Sequence, residues 1–285
     1  MLKKALLKDS IKEIKNSYKR FISIMIMALL GVGFFAGLRA TSPDMIETID
    51  TYFKGQNVYD IQVISTLGLT NDDIDALKNV EGVENVYGTD SQDGLIELED
   101  NEIVSKVMCV EDINRPKLIE GNLPQNINEC VVEGAFLTGT NKKIGDTITI
   151  EIENQENSNG DEVEYLKQKE LKIVGTVQSP VYISLDRGTS SLGSGEIDYF
   201  IYISKENINI DFYTEIYVKV KDSEKYTTAS NSYEKYIENV KNNIEEIKEE
   251  REQARYQNLI TQANNKIAEA EQEFNTQKQD GESQI

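Results

Sequence analysis

Apolar positions along this chain follow three different rhythms. From Phe21 to Leu38 an 18-residue run (FISIMIMALLGVGFFAGL) carries no charge. As a helix at ~1.5 Å per residue it covers about 27 Å, close to the ~30 Å hydrocarbon core of a bilayer, so residues 21–38 are predicted to span a membrane. Ahead of it, Leu7, Ile11, Ile14 and Tyr18 recur at spacings of 4, 3 and 4 beside a stripe of Lys8, Lys12, Lys15 and Lys19. That pattern predicts a basic amphipathic helix over 1–20, lying along anionic membrane lipid or touching a cytoplasmic partner. Inside the span, Gly33 and Gly37 form a small-xxx-small pair that would let another helix approach closely.

Beyond a helical linker at 39–56 the period shortens. Residues 57–222 break into β-rich runs divided by turn residues: 58–65, 83–88, 94–98, 105–110, 129–132, 146–152, 171–177, 181–184, 199–204 and 212–220. Thr70-Asn-Asp-Asp73 resembles a capping box ahead of a helix carrying Ile74, Leu77 and Val80. Asp93-Gly94 reads as a turn, Glu133 to Leu137 as a helical turn, and 153–162 as a polar insertion. The expectation is an α+β fold with a mixed sheet, in a core domain of sufficient length to bury its own interior.

The last third, 223–285, lacks proline and has glycine only near its end. Its apolar positions return to helical spacing: Tyr233, Ile237, Val240, Ile244 and Ile247, then, after a phase slip near Arg251, Tyr256, Ile260, Ala263, Ile267, Ala270 and Phe274. Repeats of 4 and 3 are coiled-coil seams. One long helix is expected, with its stripe covered by another chain or by a returning segment.

Charge adds a direction. Residues 1–20 carry seven basic groups against Asp9 and Glu13, whereas the whole chain has a formal net charge of −20. Lys and Arg flanking a span are retained in the cytoplasm, so the N-terminus is expected inside and the main domain outside the cell membrane. A cleaved signal peptide is the rival reading, but its apolar core is usually ~7–15 residues long and followed by small residues. So acidic a chain repels nucleic acid. With no histidine among 285 residues, histidine-based acid/base catalysis, the common nucleophile triads and histidine metal sites are excluded. Cys109 and Cys130 could pair outside the cytoplasm or remain buried thiols.

Other motifs fall short of chemistry. Gly188 to Gly195 superficially resembles a phosphate loop but has Gly193-Ser194-Gly195 in place of Gly-Lys-Ser/Thr, so it reads as a flexible turn. The acidic residues Asp72, Asp73, Asp90, Asp93, Glu97, Glu99 and Asp100 lack EF-hand spacing and read as a solvated face. No catalytic residue, cofactor site or metal site is expected.

Four segments in order carry a resemblance: Leu118 to Pro124 (LIEGNLP), Asn128 to Val132 (NECVV), Lys143 to Thr149 (KIGDTIT) and Leu171 to Pro180 (LKIVGTVQSP). Together with the basic leader and span before them, they resemble the N-terminal part of MacB/FtsX-like ABC-transporter permeases, over residues 1–222. The resemblance implies a permease subunit that binds no ATP itself, pairs with a separate cytoplasmic ATP-binding subunit and a second permease copy, and relays motion outward by mechanotransmission. It also implies further spans, so the chain reads as a permease fragment ending inside a helical arm. The alternative is a single-span surface protein for sensing, adhesion or assembly.

Overall fold

The computed structural model describes residues 2–98, 102–157, 160–184, 187–228 and 230–283; the side chains of 2–7, 10 and 280–283 are not among those described. The chain divides into two compact units, one up to Thr51 and one from Tyr52 onward. The first holds α1 (Leu2–Asn16) and most of α2 (Tyr18–Gly55). A break at Ser17 separates them, its hydroxyl donating to the Glu13 carbonyl at 2.8 Å. α2 is a single helix of 38 residues, about 57 Å at ~1.5 Å per residue, with none of its residues buried. It contains the expected span and passes through the linker as well, despite Pro43, which cannot donate a helical hydrogen bond.

The second unit is built on two sheets. Three antiparallel strands, β1 (Ile61–Leu69), β12 (Tyr213–Val220) and β2 (Val83–Thr89), pair in the order β1-β12-β2. α3 (Asn71–Lys78) lies between β1 and β2 in sequence, and Asp73 closes its capping box by accepting from Thr70 N at 2.8 Å. The larger sheet runs β5 (Lys117–Gly121), β10 (Glu170–Gln178), β6 (Glu129–Glu133), β11 (Tyr199–Ile203), β4 (Glu102–Cys109), β3 (Ser91–Glu97), β7 (Thr147–Glu151). β7 also pairs with the start of β10, so six of these strands close into a barrel, with β5 continuing along the rest of that β10 edge. The polar insertion is a small hairpin of β8 (Gln155–Glu156) and β9 (Glu162–Val163).

Alternation sorts the side chains. Along β11, Ile201 and Ile203 belong to the barrel's main cluster, with Val107, Val132, Ile150 and Leu171, while Phe200 and Tyr202 join Met108, Val131 and Val177 on the other face. α4 (Gly134–Thr140) sets Phe136 into the main cluster, fully buried and edge-on to Tyr199 with centroids 5.4 Å apart. A third cluster joins the small sheet and α3 to α5 (Asn231–Glu246).

Four expectations need correcting. Asp93-Gly94 is not a turn: both lie within β3, opposite Lys106 and Ser105, and a Cβ at Gly94 would sit 2.8 Å from Ile150 Cγ2. The glycine serves barrel packing, and the chain changes sheets at Asp90 instead. Residues 181–184 form no strand, because Val181 and Tyr182 cover the outward cluster from a loop. The acidic residues do not share a solvated face, since Asp73 and Asp90 are buried; Glu99 and Asp100 lie outside the described residues. The C-terminal helix is not one piece: it breaks at Ile247 into α5 and α6 (Lys248–Ser283), after residues 223–225 form a 3-10 turn.

Gly121 and Gly175 face each other across the β5–β10 pair. A Cβ at Gly175 would stand 2.5 Å from the Glu120 carbonyl oxygen, and one at Gly121, where φ is +80°, 2.2 Å from that of Val174. Backbone cannot retreat as a flexible side chain can. Gly175→Ala is therefore expected to cost about 1–3 kcal/mol, read as a lowered midpoint of the two-sheet domain in urea denaturation.

Candidate functional site

A densely bonded region lies where the end of α2 meets the second unit. The helix ends at Gly55, with Gln56 N still donating to Tyr52 O at 3.0 Å, and Asn57 takes φ +51°, the left-handed turn common after helix ends. Val58 N still reaches back to Phe53 O at 3.0 Å. The exposed chain ends are then tied to a loop that follows barrel strand β4: Arg115 N donates to Gln56 O at 2.9 Å, Asn114 N to Asn57 O at 3.0 Å, and Asn57 Nδ2 to Asp112 O at 2.8 Å. Asn114 Oδ1 accepts from Tyr59 N at 3.0 Å, and Lys54 Nζ donates to Tyr226 O at 2.9 Å.

One residue further on, Asp60 ties the same joint to the small sheet. Its side chain, 4 % exposed, accepts from Val220 N at 2.8 Å, Ser223 Oγ at 3.0 Å and Tyr233 Oη at 2.7 Å, and it pairs with Lys219 Nζ at 3.1 Å. A buried carboxylate with four donors holds β1, β12 and the start of α5 in register, because each lone pair is satisfied. The end of α2 is thereby bonded to both sheets' halves of the second unit.

At the crossing between the two sheets, Asp90 is buried beside Thr214, whose backbone N–H it accepts at 3.3 Å, with Lys205, Glu111 and Glu215 close by. Burial pushes its carboxyl up to about 6, against opposing pulls from the Thr214 hydrogen bond and Lys205. A raised folded-state value means that the stability the protonated form contributes is present below pH ~3.8 and lost as pH rises through ~6, on the order of 3 kcal/mol in all. Asp90→Asn is thus expected to raise the melting temperature at pH 8, with the difference vanishing by pH 4 in paired thermal melts.

The two cysteines are settled by register. Cys109 and Cys130 sit opposite the same residue, Ile203, from the strands on either side of it. That separates them by two strand spacings, about 9.6 Å, beyond the ~4.4–6.8 Å that a disulfide bridges. Both are buried free thiols, and burial pushes Cys130 up to about 12.

The predicted interaction residues are placed as follows. Ile11, Ile14 and Tyr18 are exposed on α1 and the start of α2, and the side chain of Leu7 lies outside the described residues. Gly33 and Gly37 have no neighbour within 4 Å of where a Cβ would stand, leaving room for a close helix. The C-terminal seam is divided. Val240 and Ile244 are buried against the small sheet, with Tyr236, Ile237 and Ile247 packed beside them, and Tyr233 bonds Asp60. Tyr256, Ile260, Ala263, Ile267, Ala270 and Phe274 remain exposed. Arg251 Nε to Asp73 Oδ1 at 2.9 Å and Arg255 Nε to Leu67 O at 3.1 Å fasten the first turns of α6 to the domain. The Gly188 to Gly195 segment is a closed turn, Ser190 N donating to Gly195 O at 3.0 Å. Among the described residues no group of three metal-ligating side chains converges.

The joint residues Asn57, Asp60 and Asn114 escaped the sequence pattern. Gly55 and Asn57, a helix-ending pair, were the one available signal.

No protein-family model matches the chain, and no curated protein matches it. Solved structures do resemble it. The extracellular domain of a noncanonic ABC-type transporter, YknZ from Gram-positive bacteria, shares 11% identity with a TM-score of 0.35, covering 55% of this chain and 76% of its own. The likeness is to outer domains of transporters. The periplasmic region of MacB from Actinobacillus actinomycetemcomitans shares 12% identity with a TM-score of 0.34, covering 61% of this chain and 72% of its own.

Proposed function

We propose that this chain is part of a permease subunit of an ABC-type export or mechanotransmission system, working with a separate cytoplasmic ATP-binding subunit and a second permease copy. One observation carries the reading: a helix unbroken from the apolar run to Gly55 ends in a joint hydrogen-bonded to both halves of the outer domain. A continuous helix transmits displacement along its axis, whereas a flexible tether would absorb it. The order of the four permease-like segments adds support, since they form β6, β7 and β10, which lie side by side in the barrel, and β5, which pairs along the β10 edge beside them.

On this reading α1 lies on the cytoplasmic surface, held by anionic lipid through its lysines and by the ATPase through Ile11 and Ile14. Gly33 and Gly37 face a sibling helix in the membrane. ATP-driven closure of the partner shifts α2, and the joint at residues 54–60 passes the shift outward. The outer domain itself performs no chemistry.

The test is coexpression with the ABC-type ATPase encoded nearest this gene. Copurification that Ile11→Asp abolishes, and an ATP-dependent change in the distance between spin labels at residues 56 and 117 across paired copies, are expected. Two glycines inserted after Gly55 should remove the distance change while leaving the complex intact. No copurifying ATPase, from a chain that is stably made alone, overturns the proposal.

A further inference from the structure

Beside the first turns of α6 lies an open groove of ≈ 1140 Å³. One wall is the apolar stripe of α6, with Tyr256, Ile260, Ala263 and Ile267. The other is the irregular part of β1, where pairing with β12 is interrupted between Ile64 and Leu69 and where Ile64 is 72 % and Leu67 42 % exposed. The β8–β9 hairpin bounds the groove further along α6, held there by an ion pair between Asp161 and Lys266. Both walls are anchored, because Arg255 joins α6 directly to the Leu67 carbonyl. Large apolar side chains facing each other across open space mark an interaction surface.

The surrounding chemistry selects what fits. A stripe at spacings of 4, 3 and 4 is the surface that receives another helix. The lining mixes hydroxyl and amide groups, among them Ser65, Thr66 and Gln92, with the carboxylates of Glu153, Glu156 and Glu215; Glu215 already accepts from Gln62 and Tyr217, Glu153 and Glu156 are exposed on the rim, and Gln262 Oε1 is buried with no donor among the described residues. The two cations in the lining are already engaged, Arg255 with Leu67 and Lys266 with Asp161. Positive charge to complement Glu153 and Glu156 must therefore come from the occupant. We propose that this groove docks one amphipathic helix of a partner protein, with an apolar ridge flanked by Lys or Arg. A second copy of α6 is the poorer occupant, because it would bring Glu269, Glu271 and Glu273 against an acidic rim. The inference does not depend on coupling to an ATPase.

The test uses the full chain in nanodiscs of zwitterionic lipid, with empty nanodiscs subtracted, and two fluorescent helical peptides of about five turns. Both carry leucine at spacings of 4 and 3; one is flanked by lysine and the other by glutamate. The lysine peptide should bind saturably and at least ~10-fold more tightly than the glutamate peptide. Ile260→Asp should weaken it by about tenfold or more, with an unchanged melting temperature because Ile260 is 41 % exposed. Glu153→Lys with Glu156→Lys should weaken it less and flatten its salt dependence. Equal binding of the two peptides overturns the proposal. So does binding indifferent to Ile260→Asp, or self-association of the chain that requires Ile260 and that the lysine peptide does not displace.

Discussion

Asp60→Ala is expected to destabilise the two-sheet domain by about 3–5 kcal/mol, the scale of breaking a buried ion pair from one side. The substitution removes one carboxylate and with it the ion pair of Lys219, only 12 % exposed, the acceptor of Val220 N and Ser223 Oγ, and the hydrogen bond from Tyr233 Oη. Lys219 keeps one acceptor, the Val58 carbonyl at 2.9 Å, which does not neutralise its charge. Chemical denaturation followed by tyrosine fluorescence measures the loss. Asp60→Asn separates charge from geometry: its amide oxygen can still accept, so it should lie between the wild type and alanine. If alanine were tolerated within ~0.5 kcal/mol, an ordinary surface value, the joint would not be held by this carboxylate. A destabilised joint should also release the end of α2, so faster amide exchange at residues 56–60 than in the barrel strands is expected.

Phe136→Ala should be about as severe, costing about 3–5 kcal/mol as a large-to-small change in a core. Phe136 is fully buried in the barrel's main cluster and meets Tyr199 edge-on. The strands around it are closed on one another, so the ring of hydrogen bonds limits how far the walls can collapse into the void. Phe136→Leu keeps most of the volume and should cost well under half as much. Equal losses for alanine and leucine would show that the edge-on aromatic contact, rather than filled volume, sets the energy. Unlike Asp60→Ala, this change should leave exchange at residues 56–60 close to that of the barrel as a whole.

Local patterns were readable where one element decides them. The apolar run could only be a long apolar helix, since it has neither the alternation of a strand nor the charges of a surface helix. The capping box at Thr70 and Asp73 forms as its spacing predicts. Strands β6, β10, β11 and β12 sit where β-branched and aromatic residues cluster, because those side chains fit a pleated, half-buried surface. Misreadings share one cause. Asp93-Gly94 looks like a turn in isolation, but Ile150 from β7 needs the space that a side chain on residue 94 would fill. Asp73 and Asp90 look solvated in one dimension, yet Arg251 lies 178 residues beyond the first, and Thr214 comes from 124 residues further on to meet the second.

The helical seam shows where the division lies. Its spacing alone determined that residues 231–283 would be helical and would carry an apolar stripe. Which half of that stripe is already covered depended on tertiary contact: the small sheet buries Val240 and Ile244, and the helix breaks at Ile247 before the open half begins. By itself the sequence determined a long apolar helix behind a basic leader, an α+β domain and a helical tail, since each follows from periodicity or composition within one segment. Closure of the barrel through β7 and β10, the separation of the two cysteines, the Asp60 joint and the groove beside α6 were decided only in three dimensions. Each depends on which distant backbone lies alongside, and a hydrogen-bond register between segments a hundred residues apart leaves no periodic trace in either one.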